Sequence, residues 1–230
     1  MFGFLGPNGA GKTTTIRTLL GLLRPTGGQA RVLDLDIRTD GVAIRARTGN
    51  LPGDFAFDER VTGEELLDLI EDLRGVGDRA FARTLADRFR ADLGRRLGEL
   101  SRGNRQKVGI IQAVAHRPEL VIMDEPTSGL DPLMQEEFYR LVAELREGGS
   151  TVFLSSHNLA EVERICERVA IVREGRLVTV ETVSEVLGRA FRHVSRTTFG
   201  SEARSREPMH PRSRPPLVLI VTNTLPCRLK

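Results

Sequence analysis

Apolar positions are arranged along this chain in two textures. Short unbroken apolar runs, at residues 2–5, 120–123 and 151–154, each end in a Gly-rich or polar segment. Such runs predict strands buried on both faces. Between them, apolar residues recur at helical spacing. Ile16, Leu19, Leu20 and Leu23 predict a helix from about Lys12 to Leu23, stopped by Pro25, Gly27 and Gly28. Phe138, Leu141, Val142 and Leu145 predict another, with Asp131 as N-cap, Pro132 in its first turn and Gly148-Gly149 as its stop. Residues 30–35 alternate weakly and predict a strand. A helix at about 159–167 leads to an apolar run at 169–172, a turn at 173–176 and a second run at 177–180, which predicts a hairpin. Strands alternating with helices predict an α/β domain with a largely parallel sheet.

The texture changes twice. From Asp54 onward, Leu66, Leu67, Ile70 and Leu73 share one helical face, and Phe81, Leu85, Phe89 and Leu93 share another, with no strand-like run between. This predicts a helical subdomain inserted at about 54–115, within a domain covering 1–190. Five of the eleven prolines then fall in 191–230, where helical periodicity stops and Arg, Ser and Pro dominate. That segment predicts a disordered tail.

Composition removes several function classes. The two cysteines, Cys166 and Cys227, have no metal-type spacing, and a reducing compartment fits them. Aromatics are 5% of the 230 residues, with no Trp and one Tyr, which argues against base stacking on aromatic side chains. No apolar run approaches the roughly 18–20 residues that span a bilayer. The net charge of +3 suggests an anionic partner, but residues 189–230 hold nine Lys+Arg and two Glu, a net of +7, so residues 1–188 carry −4. The basic balance belongs to the tail, and no nucleic-acid partner is expected.

Four motifs carry candidate chemistry. Gly6-Pro7-Asn8-Gly9-Ala10-Gly11-Lys12-Thr13 fits G-x-x-x-x-G-K-[ST], with Thr14 following. Glycines let backbone N–H groups curl around a phosphate at the positive end of the next helix. Lys12 can reach the terminal phosphates, and the Thr13 hydroxyl can ligate Mg²⁺. Asp124-Glu125 follows the buried run at 120–123, at the sheet edge where open α/β folds bind ligands. Asp124 is placed to hold Mg²⁺ and Glu125 to polarise a water for attack on the γ-phosphate. Ser101-Arg102-Gly103-Asn104 precedes a helix and makes a second anion-binding helix start, with Ser101 as N-cap. His157, after Ser155-Ser156, also falls at the ligand edge, whereas His116 has no such placement and reads as structural or surface.

The ordered set GPNGAGKTT, LSRGNRQ, LVIMDEPTSGLDP and SSH resembles the nucleotide-binding subunit of an ABC transporter over residues 1 to about 180. The resemblance implies a P-loop NTPase fold and two domains facing head to tail around ATP and Mg²⁺. Residues 6–14 of one copy would face Ser101 and Gly103 of the other. It implies that Glu125 is the catalytic base, that His157 contacts the γ-phosphate and that Asp131 couples the two sites. It implies a homodimer, or a pair with a related ATPase subunit, at the cytoplasmic face of the cell membrane beneath a transmembrane permease in a separate chain.

Three departures from the family pattern stand out. Arg102 and Asn104 replace residues of the usual LSGGQ, while Ser101 and Gly103 are kept. Gly53 stands where a Gln is usual, followed by Asp54; this variant resembles the subset linked to drug and antibiotic export. Family members carry further antiparallel strands and an adenine-stacking aromatic ahead of the phosphate loop, whereas Met1 stands five residues before Gly6. The resemblance therefore implies a truncated domain with those strands largely missing, and with ATP binding weakened or folding impaired. The alternatives are a soluble ABC-type ATPase working on DNA or ribosomes, which usually carries tandem cassettes or a long coiled coil, and an inactive truncated fragment. A P-loop kinase or GTPase is opposed by DEPTSGLD.

Overall fold

The structure is a computed structural model that describes residues 1–54, 57–75 and 77–188. The expected tail at 191–230 lies outside the described residues.

Strand β1 (Phe2–Leu5) runs into the Gly-rich turn and helix α1 (Lys12–Leu19). α1 ends earlier than its spacing predicts. Gly21 takes φ 67°, and Leu22 and Leu23 turn outward, 54% and 41% exposed. The single strand expected over 30–35 is instead β2 (Arg31–Val32) and β3 (Leu35–Asp36), paired antiparallel. Leu33 and Asp34 have φ of 52° and 64°, the left-handed pair that closes a two-residue hairpin.

Helix α2 (Gly41–Ala46) and strand β4 (Thr48–Leu51) follow, and the apolar pattern predicts neither. β4 reads Thr-Gly-Asn-Leu, with little branched bulk. A Cβ on Gly49 would lie 1.8 Å from the Ala113 carbonyl oxygen, so the bare glycine lets a helix press against the strand. Helices α3 (Gly63–Arg74), α4 (Arg79–Phe89) and α5 (Arg102–Val114) come next. Leu66, Leu85 and Phe89 are fully buried among them, but Leu73 is 77% exposed, against expectation. In the last turn of α3 it is Arg74 that turns inward, donating to the carbonyls of Arg45, Ala46 and Thr48. Leu93 is buried from a loop rather than from a helix, because Arg90 ends α4 at φ 49°.

The remaining elements alternate: β5 (Leu120–Asp124), α6 (Pro132–Glu147), β6 (Thr151–Ser156), α7 (Leu159–Ile165), β7 (Arg168–Arg173) and β8 (Arg176–Thr182). The sheet order is β4-β5-β6-β1-β7-β8; all neighbours are parallel except β7 and β8, which form the predicted hairpin. This is an α/β fold with a mostly parallel sheet and a small separate antiparallel pair. Period-two alternation divides β5 between two cores. Leu120 and Ile122 pack with Ile16, Leu19 and Ile44 on one face, and Val121 and Met123 with Ile111, Phe138 and Leu141 on the other. Covering both faces explains why the strand has no polar alternation. The sheet order also sets the carboxyl ends of β4, β5, β6 and β1 side by side.

Candidate nucleotide site

The loop after β1 is shaped by two glycines at left-handed φ, Gly9 at 78° and Gly11 at 99°. Asn8 and Gly9 lie exposed at its crest and Ala10 is buried beneath. The Ala10 carbonyl accepts from the Gly175 N–H at 3.0 Å, which ties the loop to the β7–β8 turn. Lys12 is buried, and its ammonium donates to the carbonyls of Gly6 at 2.7 Å and Pro7 at 3.3 Å. The same nitrogen lies 3.1 Å from Glu125 Oε1, as a charge contact without hydrogen-bond alignment. Thr14 is half-buried in the first turn of α1 and lines the cleft with its neighbours.

Asp124 closes β5 and is 2% exposed. Its Oδ2 accepts from Thr13 Oγ1 at 2.5 Å and its Oδ1 from the Ser155 hydroxyl on the neighbouring strand. Ser155 is the register partner of Asp124, so the parallel pairing itself aims this hydroxyl. Glu125 has φ 52°, which turns its side chain off the strand line toward the cleft. Its N–H donates to the Ser155 carbonyl at 3.2 Å, and its Oε2 is 2.7 Å from His157 Nδ1. Facing a carboxylate, Nδ1 carries the hydrogen. Gln106 reaches in from α5, and its amide donates to the carbonyls of Glu125 at 3.3 Å and Pro126 at 2.9 Å.

The cleft so formed is lined by residues 7–14 with Asp124 and Glu125. His157 joins it through Glu125. Ser101, Arg102, Gly103 and Asn104 do not line it. Ser101 caps α5, its hydroxyl accepting from the Asn104 N–H at 3.2 Å. Arg102 donates to the Ser128 hydroxyl at 2.8 Å. A Cβ on Gly103 would lie 2.5 Å from the Gly129 carbonyl oxygen, so the start of α5 sits directly on the 126–130 loop. Asp131 caps α6, accepting from the Met134 N–H at 3.0 Å. Gly53 ends the β4 edge of the site, where a Cβ would lie 3.0 Å from Asp124 Oδ2.

Ser155 and Gln106 are the site-building residues whose roles sequence reasoning misses. Their one signal is polar placement: a serine inside a buried strand and a glutamine on the buried face of a helix. His116 is half-buried beside Arg74, whose guanidinium meets His116 Nε2 at 2.9 Å, and it does not line the cleft.

A phosphate-cradling turn opposite two acids at the edge of a parallel sheet puts this chain among the P-loop nucleotide-binding domains. Residues 1–128 match the ABC transporter family. An uncharacterised ABC transporter ATP-binding protein of Synechocystis sp. is 39% identical over 196 residues, 81% of this chain and 54% of that protein. The bacitracin transport ATP-binding protein of Bacillus licheniformis is 38% identical over 181 residues, 77% of this chain and 59% of that one. A solved ATP-binding subunit of an ABC transporter superposes with TM-score 0.74 at 32% identity, covering 83% of this chain and 82% of its own. The chain belongs to the ABC transporter family, among its ATP-binding subunits. It spans less than two thirds of the length of these curated relatives.

Proposed function

We propose that this chain binds and hydrolyses ATP to power an ABC transporter, in the direction of export. The observation that carries the reading is the convergence of Lys12, Glu125 and His157, which arrive from the ends of three adjacent strands, β1, β5 and β6.

In this reading the N–H groups of residues 8–14 cradle the ATP phosphates, and Lys12 supplies positive charge at their terminal end. Thr13 and Asp124 would hold Mg²⁺. The donor set fits: a hydroxyl and a carboxylate in contact offer hard oxygen ligands, and among the described residues no group of three His, Cys, Asp or Glu side chains competes. Bound there, the ion would neutralise phosphate charge. Glu125 polarises the attacking water, while His157 orients its carboxylate and faces the γ-phosphate. Ser101 to Asn104 serve the site of a second copy, because a second anion-binding helix start is of no use in its own cleft. Asp131 then sits at the junction between copies. Gly53 keeps a Cβ from crowding Asp124 Oδ2.

Among the described residues no helix is long and apolar enough to cross a membrane. In this reading, which rests on the likeness to ABC transporter ATP-binding proteins, the partner is a transmembrane permease in a separate chain, and the protein works at the cytoplasmic face of the membrane as a homodimer or beside a related ATPase subunit. Export rests on the likeness to a fluoroquinolones export ATP-binding protein of Mycobacterium tuberculosis, 36% identical over 199 residues, and on the Leu51-Pro52-Gly53-Asp54 segment.

Glu125→Gln is the test. Loss of the general base should lower turnover about 10²–10⁴-fold, with ATP binding retained and an ATP-dependent dimer trapped on gel filtration. Undiminished hydrolysis would overturn the assignment, and failure to co-purify with a membrane permease would favour the soluble reading.

A further inference from the structure

Glu161, on α7, is a buried acid to which the proposed chemistry assigns no part. It is 5% exposed, and its carboxylate faces two neutral hydroxyls. Thr127 Oγ1 donates to Oε1 at 2.9 Å, and Ser156 Oγ donates to Oε2 at 2.5 Å. Burial raises the carboxyl pKa, and the two hydroxyl bonds offset part of that. Burying an acid with no paired cation is costly, and a helix resting on the sheet does not need one for packing.

The two hydroxyls belong to different segments, one in a loop and one at the end of β6. Thr127 lies in the 126–130 loop, next to Ser128, which accepts from Arg102, and close to Gly129, on which Gly103 rests. Ser156 precedes His157, and the Ser156 carbonyl accepts from the Gly6 N–H at 3.2 Å. One carboxylate thus joins the loop under the start of α5 to the end of β6, which leads into His157 and abuts the phosphate turn.

We propose that Glu161 is a positioning residue for ATP turnover, holding the 126–130 loop and the Ser156-His157 segment in register through Thr127 and Ser156. This rests on the ATPase reading given above. Glu161 touches no reacting atom. It acts on where His157, and through it Glu125, stand relative to the loop that meets the second copy. A displacement of about 1 Å in such groups can lower a rate on the order of a hundredfold without altering what binds.

The experiment compares Glu161→Ala, Glu161→Gln and Thr127→Val in the full chain with wild type and with Glu125→Gln. Steady-state ATP hydrolysis, MgATP affinity and His157 ring NMR signals are recorded, the last assigned by His157→Gln. Glu161→Ala should lower kcat by at least about tenfold with MgATP affinity within about twofold, and should shift the His157 signals. Glu161→Gln keeps an acceptor for Thr127 and should recover most of the rate. Thr127→Val removes one arm, leaves the acid in place, and should fall between. If Glu161→Ala does not fold, Glu161→Gln and Thr127→Val must show the same kcat-selective, graded loss. Wild-type kcat with unmoved His157 signals would overturn the proposal, as would affinity and rate falling together with the melting temperature. If Glu125→Gln hydrolyses ATP normally while the Glu161 variants still move His157, the ATPase assignment fails and the positional link stands. If Glu125→Gln is inactive and the Glu161 variants are silent, the inference alone fails.

Discussion

The Lys12 ammonium and the Glu125 carboxylate stand 3.1 Å apart at the ends of β1 and β5, two strands that are not neighbours. β6 lies between them and sends His157 to the other oxygen of the same carboxylate. Glu125 is therefore held between a fixed cation and an imidazole. Its left-handed φ is what allows it to leave the strand and reach both.

Lys12→Ala should weaken MgATP binding. A charge-assisted bond to phosphate contributes about 1.5–3 kcal/mol, which is roughly ten- to a hundredfold in Kd. Titration calorimetry measures this directly. An unchanged Kd would mean that the nucleotide does not sit in this turn.

Gly49→Ala should destabilise the fold severely, because the added methyl would sit 1.8 Å from a backbone oxygen of α5 with no side chain free to yield. Overpacking of this kind costs about 1–3 kcal/mol or more. Gly27→Ala is the control: nothing lies within 4 Å of the position, and its φ is not left-handed. Thermal melting should separate the two variants clearly. Equal melting temperatures would refute the close approach of α5 to β4.

The His116 imidazole, half-buried beside Arg74, is held down to about 4 from its ordinary 6.5, chiefly by desolvation and then by the neighbouring cation. Between those two values the unfolded chain takes up a proton that the native chain refuses. Stability from this group is therefore full above about pH 6.5 and is lost as the pH falls toward about 4. Urea midpoints measured between pH 7 and pH 5 should fall for the wild type, with a shallower fall for His116→Gln. Parallel curves would show that the imidazole does not titrate differently in the two states.

Much of this was legible in the chain itself, and the physical reason is locality. The glycine turn, the buried runs at 120–123 and 151–154, the Asp131-Pro132 helix start and the 173–176 hairpin each depend on neighbouring residues and their backbone preferences. The motifs they present, GPNGAGKTT, DEPTSGLD and SSH, are just as local, which is why the family resemblance could be read from them. Tertiary structure decided what depends on partners distant in sequence. β4 is a strand because Gly49 admits α5, and α1 is cut short at Gly21. Leu73 faces outward because Arg74 takes the inner position. Thr13 meets Asp124 across a separation of 111 residues, and Glu161 finds Thr127 and Ser156, only because the sheet order brings these strand ends together. Residue spacing reports which side chains share a face, whereas the pairing order of parallel strands determines which loops meet.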